Sequence, residues 1–354
     1  MKFEEQVPLA DRTSIGLGGR ARYFYAADTL EGLKTALREA HKQSLRVHIL
    51  GGGSNTVFSD NGFDGLVLQM ALKGRRVLST QENTVLIEVA AAENWDQLVE
   101  WTGQQGWHGL ECLSGIPGQV GAAPIQNIGA YGQEAGERIT AVECLDRQTL
   151  EILRFSSAEC GFSYRQSRFK GSDRDRFVIT AITLQLPTDG DVQIRYPELA
   201  RNISMQAEYS RSADLRTRLA LIRRTVLQIR ATKSMVLDAS DPHSRSCGSW
   251  FMNPVLEQSE WQRVRERLAS QGIHDLPVYT SNERYKLPAA FLIEAAGFTK
   301  GQRLYGVGIS PRHALALVNY NGSSAELLEL QQTIQQGVFD FCGLQLDVEP
   351  NWIS

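Results

Sequence analysis

The stretch Arg46 to Asn55, RVHILGGGSN, is a short apolar run that empties into three consecutive glycines and two small polar residues. Val47-His48-Ile49-Leu50 reads as a buried strand, and a second strand, Gly65-Leu66-Val67-Leu68, follows it. Upstream, Leu30, Leu33, Leu37 and Ala40 recur at helical spacing. Together these make residues 1–72 a small α+β lobe. Because glycine carries no Cβ, a turn of three glycines lets backbone N–H groups come close to a phosphate. The standard nucleotide motifs are not met, however. Gly51 and Gly53 fill the first half of G-x-G-x-x-G, but Thr56 stands where the third glycine belongs, and no G-K-[ST] follows. Taken alone, Gly51, Gly52, Gly53, Ser54 and Asn55 fit an ordinary tight turn as well as a ligand loop.

Beyond this lobe, residues 73–210 read as a second α+β lobe. It opens on Thr84-Val85-Leu86-Ile87-Glu88-Val89, passes a helix built around Trp95, Leu98 and Trp101, and ends in the partly alternating run Phe177 to Leu186. After Asp214, a good N-cap, Leu215, Leu219, Ile222, Val226 and Ile229 form a helical stripe. Arg216, Arg218, Arg223 and Arg224 fall off that stripe, so residues 211–233 are read as a connecting amphipathic helix with a solvated arginine face. Residues 234–354 form a third α+β lobe. It is expected to hold a helix around Trp261, Val264 and Leu268, another from Leu287 to Ala296, a strand from Ala314 to Val318, and a last helix opened by a Ser323/Glu326 capping box.

The totals restrict function. A chain of 354 residues, 42% of them hydrophobic, can fill several cores without disulfides or metal. Lys plus Arg (37) nearly balances Asp plus Glu (40), and a net charge of -3 provides no electrostatic footprint for nucleic acid or an anionic membrane. The five cysteines lack C-x-x-C spacing and the six histidines make no H-x-x-x-H pair, so no bound metal and a reducing compartment are expected. The opening Met1-Lys2-Phe3-Glu4-Glu5 is acidic where a signal peptide is basic, and no run is apolar enough to span a bilayer, which points to a soluble cytoplasmic protein.

A second glycine-rich run, Ser114 to Gly132 (SGIPGQVGAAPIQNIGAYG), is long for a loop inside a compact lobe, and its apolar content argues against disorder. Such a loop could wall a flat, partly apolar cofactor. LGGGSN (50–55), IPGQVGAAPIQNIGAYG (116–132), FSYRQSRFK (162–170), GSWFMNP (248–254) and a late glutamate, taken in this order, resemble the UDP-N-acetylenolpyruvoylglucosamine reductases (MurB). The likeness runs from Thr13-Ser14-Ile15-Gly16 to the last residues, and Arg195-Tyr196-Pro197-Glu198-Leu199 resembles the loop of the subclass that folds a tyrosine over the substrate.

The resemblance implies a two-lobed FAD-binding module of the p-cresol methylhydroxylase and vanillyl-alcohol oxidase type, followed by a C-terminal α+β substrate-binding domain. It implies that Gly51 to Asn55 and Ile116, Pro117, Gly118, Gly121, Ala122 and Ala123 line a non-covalently bound FAD. Ala122 and Ala123 depart from relatives that carry hydroxyls there. The implied reaction is reduction of an enolpyruvyl ether of a UDP-sugar to a lactyl ether: NADPH reduces the flavin, which passes hydride to the substrate's methylene carbon. Ser249 is then the expected proton donor, Arg165 the holder of the carboxylate, and Glu349 a stabiliser of the enol form or proton relay. Asp347, two residues from Glu349, is the alternative carboxylate. Tyr131, Tyr196, Lys233, Asn253 and His313 match substrate-side positions.

Two rivals are set against this reading. One is an oxidase or dehydrogenase on the same flavin fold, many of which attach flavin through a histidine that neither glycine loop contains. The other is a catalytically silent flavin or nucleotide-sugar binding protein. Cys247, beside Ser249, has no histidine within three residues and is read as packing.

Overall fold

A computed structural model of the chain describes residues 1–206, 209, 214–281 and 283–354. The chain packs as two compact units, each discontinuous in sequence. The first comprises Met1–Val7, Ala21–Gly52 and Asp64–Thr232, and the second Pro8–Arg20, Gly53–Phe63 and Lys233–Ser354. Residues 8–20 and 53–63, which fall within the expected lobe 1–72, therefore pack with the C-terminal third of the chain.

The first unit holds two sheets. The smaller orders its strands Glu4–Pro8, Arg20–Ala27, Phe63–Met70 and Val47–Leu50, and the last two run parallel with Val47 opposite Leu66. The helix Leu30–Lys42, capped by the Thr29 side chain accepting from Gly32 N, buries Leu33, Leu37 and Ala40 of the stripe read from spacing, with Ala36 beside them, while Leu30 is half-buried. The larger sheet is antiparallel, in the order Ile152–Ser156, Ile139–Asp146, Phe177–Pro187, Thr84–Ala90, Arg75–Thr80. Its core takes in Val85, Ile87 and Val89 from one strand and Trp95, Leu98 and Val99 from the helix Trp95–Gln105.

The helix Leu215–Thr232 starts where Asp214 Oδ2 accepts from Thr217 N at 2.9 Å, and it buries Leu219, Ile222, Val226 and Ile229. Its arginines correct the sequence reading. Arg216 and Arg224 are exposed, but Arg223 forms a two-pronged pair with Asp96, Nη2 to Oδ2 at 2.7 Å, and Arg218 meets Asp191 at 3.3 Å. A helical wheel separates polar from apolar faces, but not the part of the polar face that a neighbouring helix covers.

The second unit is built on one core that gathers Ile15 and Leu17 with Val57, Trp250 and Phe251, and with Leu327, Leu330 and Ile334 of the helix Ser324–Cys342. That helix opens on the expected capping box, Ser323 with Glu326. Thr56–Phe58 pairs in parallel with Asn351–Ile353, with Thr56 opposite Asn351. The helix read as starting at Leu287 starts at Ala289, after Pro288, whose ring presets the entry to the first turn. The strand expected over 314–318 is Leu317–Asn319 instead. His313 bends the preceding residues into a turn, its carbonyl accepting from Ala316 N at 3.1 Å and its Nδ1 from Leu315 N at 3.1 Å. All five cysteines are free and buried, and among the described residues no helix is long and apolar enough to cross a membrane.

Gly53 shows how tightly the second unit is drawn around its N-terminal pieces. Its φ is +66°, and a Cβ added there would stand 1.9 Å from the Arg12 carbonyl oxygen. Gly53→Ala combines a strained left-handed backbone with a backbone clash. It is expected to lower unfolding stability by about 3 kcal/mol, read from the urea midpoint at unchanged slope.

Candidate active site

In the first unit the two glycine runs meet backbone to backbone. A Cβ on Gly52 would lie 2.9 Å from Gly118 Cα, and one on Gly51 would lie 3.4 Å from Gln119 Oε1 and 3.9 Å from Ala122 Cβ. The second run is held from behind by the start of the helix Trp95–Gln105 and the residues before it. Trp95 N donates to Gly118 O at 3.1 Å, Val120 N to Glu93 O at 2.9 Å, and Gly121 N to Ala91 O at 2.8 Å. Gly121 has no room for a side chain, since a Cβ would reach within 2.6 Å of Ala91 Cβ. Ile116 packs against the apolar core of this unit and Ala123 is buried inside it, so Ala123 offers no side-chain face to a ligand, whereas Ala122 remains half-buried beside Gly51.

The cradle suits a nucleotide cofactor. Its walls are glycine backbone and a methyl, and Gln119 Oε1 is a buried acceptor with no partner among the described residues. Sequence reading passed over Gln119. Its signal was a long polar side chain in the middle of an otherwise small and apolar run.

Further along the same run, the loop turns through two left-handed residues, Asn127 (φ 45°) and Tyr131 (φ 49°), and Arg165 (φ 54°) is a third. Non-glycine residues are held in this region only where the surroundings over-determine them, and such strain collects at functional sites. Asn127 supplies much of that determination. It is buried, its Nδ2 donates to Glu134 Oε2 at 2.6 Å and Ser163 O at 3.0 Å, and its Oδ1 accepts from Gly136 N at 2.8 Å. Arg165 sits in a turn closed by reciprocal Ser163 and Gln166 backbone bonds of 3.1 Å. Its Nη2 donates to Gly129 O at 3.0 Å, and its own carbonyl accepts from Lys170 Nζ at 3.0 Å. Tyr131 meets Tyr196 edge to face at 5.2 Å between ring centroids. Burial pushes the Tyr131 phenol up to about 12, so it stays a neutral donor at physiological pH. Thus Tyr131, Tyr196 and Arg165 are gathered around the Gly129–Gly132 backbone, and Asn127 is the positioning residue behind them.

In the second unit, Ser249 lies on a stretch fixed on both sides. Gly248 takes φ +73°, its N donates to Ser246 Oγ at 3.3 Å, and a Cβ there would meet open space. Trp250 N donates to Leu315 O at 2.7 Å, and Trp250 O accepts from Glu349 N at 2.8 Å. Phe251 bridges Val348 in antiparallel fashion, and Met252 N donates to Asp347 O at 2.9 Å. Ser249 itself is half-buried, and its Oγ meets no hydrogen-bond partner among the described residues. Glu349 is half-buried and its carbonyl accepts from Asn55 Nδ2 at 3.2 Å, while Asp347 is exposed. Ser54 O accepts from Ser14 Oγ at 3.4 Å, and the same hydroxyl reaches Ser246 O at 2.6 Å. Gly53, Ser54, Asn55, Ser249 and Glu349 therefore form one connected group. Asn253 uses its Oδ1 to cap the helix Ala289–Ala295 through Ala289 N at 2.9 Å. Burial holds the Cys247 thiol up at about 12, so no thiolate stands beside Ser249. His313 is pushed down to about 4, first by burial and then by the positive charges of Lys233 and Lys300, against the opposing pull of Glu294. Lys233 and His313 accordingly share a neighbourhood, in which the imidazole is held neutral at physiological pH.

The fold and these two groups define a flavin-binding module joined to a separate C-terminal domain. A family profile described as FAD binding domain matches residues 21–156, and one described as UDP-N-acetylenolpyruvoylglucosamine reductase, C-terminal domain, matches residues 241–353. The UDP-N-acetylenolpyruvoylglucosamine reductase of Salinispora arenicola is 42% identical over 350 residues, covering 97% of this chain and 93% of that one. The enzyme of the same name from Thermobifida fusca is 40% identical over 357 residues, covering 99% and 98%. The crystal structure of the reductase from Thermus caldophilus aligns over all of both chains with a TM-score of 0.67 at 24% identity, a likeness of fold. The chain belongs to the UDP-N-acetylenolpyruvoylglucosamine reductase family. The α+β architecture the motifs implied, an FAD-binding module of p-cresol methylhydroxylase type followed by a C-terminal domain, stands, and the covalent-oxidase and silent-binder readings fall.

Two outcomes test this geometry. Arg165→Gly relieves a left-handed strain while removing the guanidinium, so unfolding stability should change by less than about 1 kcal/mol. Turnover should nevertheless fall by roughly 10²-fold or more; a parallel loss of stability would make Arg165 merely structural. For His313, the folded pKa of about 4 lies below the ordinary 6.5, so the unfolded chain binds the proton first. The stability this histidine contributes is complete above pH 6.5 and is lost as pH falls toward 4. Across that window His313→Gln should lose about 2 kcal/mol less than the parent protein in denaturant titrations.

Proposed function

We propose that the chain catalyses the NADPH-dependent reduction of UDP-N-acetylglucosamine enolpyruvate to UDP-N-acetylmuramate through FAD, a cytoplasmic step in making peptidoglycan precursors. The observation that carries the assignment of roles is Ser249: a half-buried hydroxyl with no partner among the described residues, on a backbone tied to Leu315 on one side and Glu349 on the other. A serine whose task was to cap or close a turn would have its oxygen engaged.

FAD, when bound, supplies the two-electron chemistry, and Gly51, Gly52, Gly118, Gln119 and Ala122 together with Gly53, Ser54 and Asn55 are the residues assigned to hold it. Reduction of the enolpyruvyl group leaves negative charge on the carbon next to the carboxylate, and a proton must then reach that carbon. Arg165 is assigned to the carboxylate, because a planar fork meets two oxygens at once and its Nη2 is already oriented by the Gly129 carbonyl. Ser249 is assigned the proton delivery. Glu349 is assigned the support of the enol form or the resupply of the proton. Its backbone pairs with Trp250, next to Ser249, and its side chain is partly withdrawn from water, whereas Asp347 is exposed. Lys233 suits a diphosphate as a point charge, with the neutral His313 beside it as a hydrogen-bonding group for the sugar nucleotide. Tyr131 and Tyr196 are assigned to the substrate face of the Arg165 group. Asn253 retains its Nδ2 for the substrate while its Oδ1 caps a helix.

The test separates the two halves of the reaction in anaerobic stopped flow. Ser249→Ala should bind FAD and be reduced by NADPH at the parent rate, while reoxidation of the reduced flavin by the enolpyruvyl substrate slows roughly 10²-fold or more. Glu349→Gln should show the same pattern and Asp347→Asn should not. Equal reoxidation rates in parent and Ser249→Ala would remove Ser249 from the chemistry.

A further inference from the structure

Between the strand Phe177–Pro187 and the helix Pro197–Ser204 the chain runs as an extended strap whose side chains alternate. Val192 is buried and Ile194 and Tyr196 are half-buried, all three packing into one core with Leu219 and Ile222, while Asp191, Gln193 and Arg195 are exposed. Its ends are tied down: Thr188 N donates to Asn83 O at 3.0 Å, the His108 ring meets Asp189 O at 2.7 Å, and Tyr196 O accepts from Ala200 N at 2.9 Å. From Gln193 to Arg195, however, no backbone group pairs with another among the described residues, so no ladder sets the register. Arg195 does so with its side chain. Its Nη1 donates to Glu137 Oε1 at 2.9 Å and to Gly132 O at 3.4 Å. Gly132, at φ +82°, leaves room for this seat, since a Cβ there would stand 3.0 Å from Arg195 Cβ and 3.4 Å from Tyr196 N.

An exposed ion pair adds little to global stability, because water and salt screen it and two long side chains must be ordered to make it. This pair acts on a single segment that has no other polar tie at its middle, and that segment ends in Tyr196. We propose that Arg195 is a positioning residue for the substrate: by clasping Glu137 and the Gly132 carbonyl it fixes the register of the strap and holds Tyr196 edge to face against Tyr131. The two rings then form one wall on the loop whose Gly129 carbonyl orients Arg165. The proposal rests on the reading of Tyr196 as a substrate-side residue. Arg195 acts only through that ring. Without the clasp the strap samples placements in which Tyr196 does not meet the substrate, so apparent affinity falls by the fraction of molecules displaced, while the steps after correct binding keep their rate.

Steady-state kinetics of the FAD-loaded enzyme with the enolpyruvyl substrate, run beside thermal transitions, test the clasp. Arg195→Gln should raise KM for that substrate roughly 2- to 5-fold, the scale of an exposed ion pair, with kcat and the thermal midpoint unchanged. Glu137→Gln should raise it by a similar factor, and the double variant should be no worse than either single one. In a Tyr196→Ala background, Arg195→Gln should add nothing. Unchanged KM in both single variants overturns the proposal, and so do effects that multiply in the double variant. Shifts of KM in opposite directions also overturn it, because the two side chains would then act as separate charges on an anionic substrate. A fall in kcat together with the thermal midpoint reduces the pair to surface bracing and overturns it as well. Should Arg195→Gln fail to fold, Glu137→Gln makes the same test from the other side of the pair. If Tyr196→Ala itself leaves KM unchanged, the substrate-side reading of Tyr196 fails and takes the proposal with it. A parent enzyme that does not turn over the enolpyruvyl substrate would instead overturn the proposed function.

Discussion

Gly52 approaches Gly118 so closely that a side chain on Gly52 would press into the Gly118 backbone. Much of the first unit's candidate site depends on that approach. It sets the Gly51 face opposite Gln119 and Ala122, and it holds the second glycine run against the Glu93–Trp95 backbone, from which the chain continues to Asn127 and Tyr131. Glycine here does more than permit a turn: two distant stretches become one surface because Gly52 gives up a Cβ. The later members of the run inherit this placement through local bonds, Ile128 N to Ala123 O and Ala135 N to Ile128 O, before Asn127 fastens the loop to Ser163.

The second unit follows a different principle. Ser249 and Glu349 are located by main-chain hydrogen bonds of their neighbour Trp250, and Trp250 and Phe251, both buried, anchor the segment that follows Ser249. The chemical groups are thus attached to elements whose own positions are decided by packing. A substitution at Ser249 can remove the hydroxyl without disturbing its supports, since the side chain takes no part in them. Asn253 differs, because one end of its amide holds a helix start, so that removing the side chain mixes structure with function.

Where a property is set by residues close in sequence, the sequence made it legible. The spacing of Leu219, Ile222, Val226 and Ile229 marks a buried helical face, and Ser323 with Glu326 marks a helix start, because both depend only on the 3.6-residue period and on the first-turn N–H groups. The motifs were also sufficient to place the chain in its family. What stayed hidden was decided across long separations or by direction. The strand expected over 314–318 shifted because a histidine side chain closed a turn that no pattern announces. The Arg223 pair with Asp96 joins two helices whose proximity has no local signature. The orientations of the Arg165 guanidinium and the Gln119 amide depend on carbonyls supplied by Gly129 and Met70 only in the folded state, although both residues stood in plain view within their motifs.

The discontinuity of the second unit carries a consequence for how the protein is made. Pro8–Arg20 and Gly53–Phe63 emerge from the ribosome long before Lys233–Ser354, the segment with which they share a core. At ordinary synthesis rates the delay from Phe63 to Lys233 is on the order of 10 s, far longer than local structure needs to form. During that interval Ile15, Leu17 and Val57, all but fully buried in the finished molecule, have no core to enter. The strand Thr56–Phe58 likewise waits for Asn351–Ile353, the last of its partners to be synthesised. The first unit therefore has time to mature alone on the nascent chain, while the segments of the second remain apolar, extended and open to chaperones or to other nascent chains until synthesis is nearly over.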